Sequence, residues 1–116
     1  MKLKILKSKI HRATVTEACL DYEGSISIDT NLMRSAGIVN YEKVHVLNIT
    51  NGNRLETYAI PSEKRGHLCV NGAAAHLMNP GDIVIIVAYA QMKYKEALNY
   101  KPKIVLVDEN NKKNEK

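Results

Sequence analysis

The stretch from Lys43 to Ile60 constrains this chain most: two alternating runs, KVHVLNIT and RLETYAI, flank the pair Asn51-Gly52. Alternation with a period of two marks a half-buried β-strand, and Asn-Gly supplies the positive-φ positions of a tight reversal. The two runs therefore predict an antiparallel hairpin. A strand over RLETYAI puts Arg54, Glu56 and Tyr58 on one face and Leu55, Thr57 and Ala59 on the other. Residues 2–7 and 11–20 carry β-branched and apolar residues in partial alternation, HLCV reads as a short strand, and KIVLV closes the ordered chain. The run Ile83 to Tyr89 has no polar face, which predicts a strand covered on both sides. Asp29 or Thr30 can cap a short helix over NLMRSA, ended by Gly37 in the left-handed conformation. NGAAAH reads as a turn passing into a helical turn, and Asn79-Pro80-Gly81-Asp82 is turn chemistry. Many short strands, small helices and close turns predict a mainly β protein, a small closed β-barrel with short helices.

The 116 residues suffice for one core, expected over 1–107, with the polar residues 108–116 read as a disordered tail. Lys and Arg number 17 against 12 Asp and Glu, a net charge of +5 that points to nucleic acid or to acidic small molecules. All six aromatic residues are Tyr, which leaves little for a base-stacking platform, so nucleic acid is not the expected partner. The excess is concentrated at the start, in Lys2, Lys4, Lys7, Lys9 and Arg12. That basic start has no apolar run longer than Ile5-Leu6, so no targeting segment is expected, and DIVIIVAYA is too short to span a bilayer. Cys19 and Cys69 form no CxxC or zinc-ligand spacing, which favours a reduced, cytoplasmic protein without disulfides.

No HExxH, P-loop or GxGxxG motif is present, and His11, His45, His67 and His76 show no ligand spacing, so no metal is expected. Four segments concentrate polar function. In KIHR, Lys9 and His11 share a strand face; a cation beside an imidazole suits an anion, while the plainer reading is a solvated edge strand guarded by lysines. In YEGS, residues 22–25, a strained Gly24 would expose its carbonyl to the Ser25 hydroxyl and turn the peptide bond into an ester, where an ordinary polar turn is the plainer reading. Arg54 can hold a carboxylate and Tyr58 can donate a proton, or both can be ordinary surface residues. NGAAAH leaves backbone N–H groups open to an anion, or packs as an alanine-rich turn.

Together these segments resemble the bacterial aspartate 1-decarboxylase family, pyruvoyl enzymes that make β-alanine for pantothenate synthesis. KIHRATVT, DYEGSISID, AGI, NITNGNRLETYAI, VNGAAAH and GDIVII stand in the family's order and cover nearly the whole ordered chain. The resemblance implies a six-stranded double-psi β-barrel, assembled as a homotetramer with active sites between subunits. It also implies a maturation in which Ser25 attacks the Gly24 carbonyl in an N-to-O acyl shift and β-elimination breaks the ester. The dehydroalanine formed hydrolyses with loss of ammonia to a covalent pyruvoyl cofactor. The products would be a β-chain, 1–24, and an α-chain, 25–116, and a separate maturation protein is left open.

By the same resemblance the substrate is L-aspartate, which loses its α-carboxylate while joined to the pyruvoyl carbonyl as a Schiff base. Ser25 and Tyr58 are the implied catalytic residues, Tyr58 as proton donor to the carbanion. Thr57 would stabilise the Gly24 carbonyl oxygen during self-processing and contact substrate. Lys9 and Arg54 would bind carboxylates beside His11, with Asn71, Gly72, Ala73 and Ala74 completing the pocket and Tyr22 as a wall. Thr57 and Tyr58 point to opposite faces of a regular strand, so serving one site requires an irregular strand or adjacent sites. Two rivals keep the barrel: a small basic DNA-binding module, which would stay uncut and bind duplex DNA with a steep salt dependence, and an unprocessed inactive paralogue.

Overall fold

The computed structural model describes residues 1–21 and 23–114. Its strands are β1 (Lys2–Thr14), β2 (Glu17–Cys19), β3 (Ser25–Asp29), β4 (Lys43–Asn48), β5 (Arg54–Ser62), β6 (Leu68–Asn71), β7 (Ile83–Lys93) and β8 (Lys103–Leu106). Helices α1 (Thr30–Ala36) and α2 (Tyr94–Asn99) and a 3-10 turn over Gly72–His76 complete it.

The strands are hydrogen-bonded in the order β2-β6-β3-β5-β4-β7-β1-β8. β1 and β2 are successive parts of one extended segment, and between them the Thr16 N–H donates to Leu68 O at 2.8 Å. The order therefore returns to its start. The wall is a ring of six segments, β1–β2, β6, β3, β5, β4 and β7, and β8 runs parallel to β1 along the edge that β6 does not reach. Closure leaves few unpaired strand edges, and the six-stranded expectation is met although the strands number eight.

The ring closes because each segment turns β-branched or aliphatic side chains inward. Ile10, Ile26, Ile28, Val44, Leu68, Val84 and Ile86 are fully buried in one cluster. Each such side chain stabilises the fold by about 1.5–3 kcal/mol relative to leaving it in water. Asp29 caps α1 by accepting from Asn31 N at 2.8 Å, and Gly37 ends it with φ 68°, as the sequence predicts. The segment after residue 90 continues β7 and enters α2. Among the described residues no helix is long and apolar enough to cross a membrane.

Two expectations are corrected. The predicted antiparallel hairpin forms, in a register from Lys43 opposite Tyr58 to Leu47 opposite Arg54, but only Gly52 of the Asn-Gly pair has a positive φ. The loop is wider than a two-residue reversal because Asn48 organises it, accepting Gly52 N–H on its carbonyl at 2.8 Å and Thr50 N–H on Oδ1 at 2.9 Å.

Residues 108–114, read from composition as a disordered tail, fold back onto the barrel. Asn111 is 2% exposed; its Oδ1 accepts from Thr14 N at 2.7 Å, and its Nδ2 donates to Thr14 O at 2.8 Å and Gly66 O at 2.9 Å. Gly66 has φ +73°, and a Cβ there would stand 2.8 Å from Asn110 O, so the tail seats only against a glycine. Backbone N–H groups of Lys112 and Asn110 hold the Asp108 carboxyl below its ordinary range. One amide side chain that mimics a backbone partner anchors a segment with no apolar content. Asn111→Ala removes these three hydrogen bonds, and we expect a loss of about 2 kcal/mol, read as a lowered urea midpoint. An unchanged midpoint would mean that the tail does not contribute to the fold.

Candidate active site

Ladder registers decide which side chains share the outer face of the wall, because directly paired residues point to the same side. Glu17 is opposite Cys69 and Cys19 opposite Asn71 between β2 and β6. Asn71 is opposite Ser25 and Cys69 opposite Ser27 between β6 and β3, and Ser27 is opposite Ile60 on β5. Tyr58, two residues before Ile60, faces the same way. With Asp21, Glu23, Lys64 and His67 these side chains line a cavity of about 810 Å³. Val70, Ile26 and Ala59, which lie between them in sequence, are buried in the core.

Ser25 is the first residue of β3 and is 2% exposed, whereas Gly24 before it is exposed. Asn71 Nδ2 donates to Ser25 Oγ at 2.9 Å and to Ser27 Oγ at 3.0 Å. The Cys69 thiol donates in turn to Asn71 Oδ1 at 3.1 Å, so the amide is engaged at both ends. The Ser25 hydroxyl is directed at the Glu23 carbonyl at 3.5 Å. Gly24 is not among the glycines with a positive φ, and no other heavy atom stands within 4 Å of its Cβ position. Gly24 therefore does not take the left-handed conformation, and the space beside its Cα is open.

Of the residues singled out from sequence, the fold brings Ser25, Tyr58 and Asn71 together. Tyr22 lies outside the described residues. Thr57 is opposite Val44, a fully buried core residue, while Tyr58 is opposite Lys43 on the outer side. β5 pairs with β4 without a register shift there, so within one chain Thr57 faces away from the cavity. The donor that reaches Ser25 is Asn71 rather than Thr57. Gly72 is buried with φ 71° and starts the 3-10 turn, Ala73 is exposed and Ala74 packs against the core; none of the three lines the cavity.

Lys9, His11 and Arg54 also lie elsewhere. Lys9 is opposite Val87 on one side and Ile104 on the other, in the part of the β1–β2 segment that pairs with β7 and β8 rather than with β6. His11, two residues on, shares its face, and the strand is irregular just beyond it at Arg12, whose φ is 66°. Burial first, and then the charges of Lys9 and Arg12, push the His11 pKa down, so its ring is neutral at pH 7, and its buried Nδ1 has no hydrogen-bond partner. Arg54 is exposed at the hairpin end of β5, about 13 Å along the strand from Tyr58. Beyond Glu56, which pairs with Lys43 at 3.2 Å and His45 at 3.0 Å, that face carries no further acid among the described residues of β5.

Sequence reasoning missed Glu17, Ser27, His67 and Cys69 as cavity residues. Glu17 and Cys69 meet only because β2 and β6 pair in parallel across fifty-two residues, and no local spacing reports that. The Cys69 thiol is pushed up by burial and then by the charges of Glu17 and Cys19.

Comparison with known proteins places this geometry in context. A family model described as aspartate decarboxylase matches residues 1–114. A protein of Thermoanaerobacter pseudethanolicus named aspartate 1-decarboxylase is 59% identical over 113 residues, covering 97% of each chain. Proteins of the same name from Campylobacter jejuni (strain 81116) and Myxococcus xanthus are 58% and 56% identical, covering 96% and 97% of this chain and 88% and 87% of their own.

Proposed function

The chain belongs to the aspartate decarboxylase family, and from that premise we propose that it cuts itself between Gly24 and Ser25 and works through a pyruvoyl group made from Ser25. It is a carboxy-lyase that removes a carboxylate of aspartate and leaves β-alanine for pantothenate synthesis. The observation that supports self-cleavage best is the placement of Ser25. Its hydroxyl is buried at the start of a strand and held by an amide, and the carbonyl it would attack, with the Ser25 nitrogen as the group displaced, belongs to the exposed Gly24.

The residues present fit the group. Position 25 opens onto the cavity, Asn71 offers an N–H donor beside it, and cutting after Gly24 leaves β3 and its two neighbours paired. The pyruvoyl group supplies an electron sink for the pair released as carbon dioxide departs. Asn71 orients the Ser25 oxygen before the cut. Tyr58 stands on the same face one ladder step from Ser25, where its phenol donates a proton to the substrate α-carbon.

Charge argues that a second copy completes the site. Among the described lining residues, Glu17, Asp21 and Glu23 face the cavity against the single lysine Lys64, a poor environment for a dicarboxylate. Lys9, His11 and Arg54 have no such role within their own chain. Beside Lys9 and His11, Ile104 and Leu106 are 44% and 41% exposed, an apolar rim suited to burial against another copy. In this reading the enzyme is a cytoplasmic homotetramer in which Lys9 and Arg54 bind the carboxylates of a substrate held at a neighbour's Ser25.

Denaturing mass spectrometry of the incubated chain, with β-alanine release from L-aspartate measured beside L-glutamate, tests the proposal. We expect pieces 1–24 and 25–116, the larger without an N-terminal amine, and turnover of aspartate. A chain that stays whole after prolonged heating, or an α-chain that keeps its amine, would refute it.

A further inference from the structure

We propose that Glu17, His67 and Cys69 form a binding site for a zinc-type divalent cation on the cavity wall. Glu17 and His67 offer an oxygen and a nitrogen and Cys69 a sulfur, all within 4.8 Å of one another. Oxygen, imidazole nitrogen and thiolate together suit zinc and disfavour magnesium or calcium, and three protein ligands leave a fourth position open to the cavity.

The surroundings are arranged as a metal site requires. Ser62 Oγ lies 2.8 Å from His67 Nδ1, so it can accept the ring N–H and leave Nε2 free for the metal. His67 Nε2 already faces Glu17 Oε1 at 3.1 Å. Two ligands are held in place, Cys69 at 5% exposure and the His67 side chain at 16%, while the Glu17 side chain is 52% exposed and able to close onto an ion. Lys64, 3.7 Å from Glu17, is the competing cation, and its side chain is 74% exposed. On binding, His67 presents its Nε2 lone pair to the ion, and the Cys69 thiol releases one proton to solvent. The two anionic ligands then balance the dication. The thiol proton now given to Asn71 Oδ1 is the one released, so occupancy acts on the same amide that holds Ser25.

The test titrates cobalt(II), as a spectroscopic stand-in for zinc, into the full chain after metal has been stripped with a chelator. We expect one equivalent per chain and a thiolate-to-cobalt charge-transfer band that zinc displaces. Cys69→Ser should abolish the band and Cys19→Ser should leave it. Glu17→Gln, a change at an exposed side chain that the fold tolerates, should weaken binding at least about tenfold. No band, a band that survives Cys69→Ser or is lost in Cys19→Ser, or an affinity indifferent to Glu17→Gln would overturn the site, as would binding that tracks His11, His45 or His76. The site does not depend on self-cleavage, and the titration should read the same on an uncut Ser25→Ala chain.

Discussion

Ser25→Ala should leave a single uncut chain of about 13.0 kDa that produces no β-alanine above the uncatalysed level. Without Oγ there is no nucleophile at the Gly24 carbonyl, and without the cut there is no pyruvoyl group. The fold should persist. Ser25 packs at the edge of the core, and Asn71 Nδ2 keeps Ser27 Oγ as a partner, so the stability cost should be about 1 kcal/mol. Circular dichroism of the variant should match the wild type, and its mass should stay whole under conditions that cut the wild type. Cleavage at the same bond in the variant would mean that another group attacks Gly24 and would remove Ser25 from the mechanism.

Tyr58→Phe should separate maturation from turnover. The phenol shares a face with Ser25 but is not a hydrogen-bond partner of its oxygen, so self-cleavage should proceed at the wild-type rate. Loss of a positioned proton donor costs roughly 10²–10⁴ in kcat, with KM much less affected. A fully active variant would assign the proton to another group. Mixing also tests where the site lies. Tyr58→Phe chains combined with inactive Lys9→Ala chains should regain activity, because about one interface in four then joins an intact Tyr58 to an intact Lys9 under random assembly. Two inactive variants that stay inactive after mixing and reassembly would place both residues on the same chain's side of the site.

Local chemistry was legible where one segment determines its own structure. The 43–60 alternation set the hairpin, Asp29 and Gly37 bracketed α1, and the apolar run from Ile83 seeded β7. A closed barrel was expected, but the pairing that closes it was not legible from periodicity, since it depends on one segment pairing with β7 near its start and with β6 near its end. The tail was misread because composition counts apolar residues, and Asn111 holds it through amide hydrogen bonds. At the site, YEGS marked Ser25, but its contact with Asn71 spans forty-six residues and appears only with the β3–β6 register. Strand alternation turns Thr57 to the side of Val44 and Tyr58 to the side of Lys43, the opposite faces that a regular strand over RLETYAI predicts.

The continuous β1–β2 segment has a consequence for how the mature protein can be made at all. The proposed cut after Gly24 would turn that whole segment into a separate peptide, still clamped between β7, β8 and β6. Before the cut, its closure against the rest of the ring is intramolecular, at the high effective concentration a covalent tether provides; after it, the same closure is a bimolecular event that dilution opposes. The uncut precursor is thus the form able to find the fold. On that proposal, a cut enzyme that loses its 1–24 peptide on unfolding would not refold on dilution, whereas the uncut Ser25→Ala chain would.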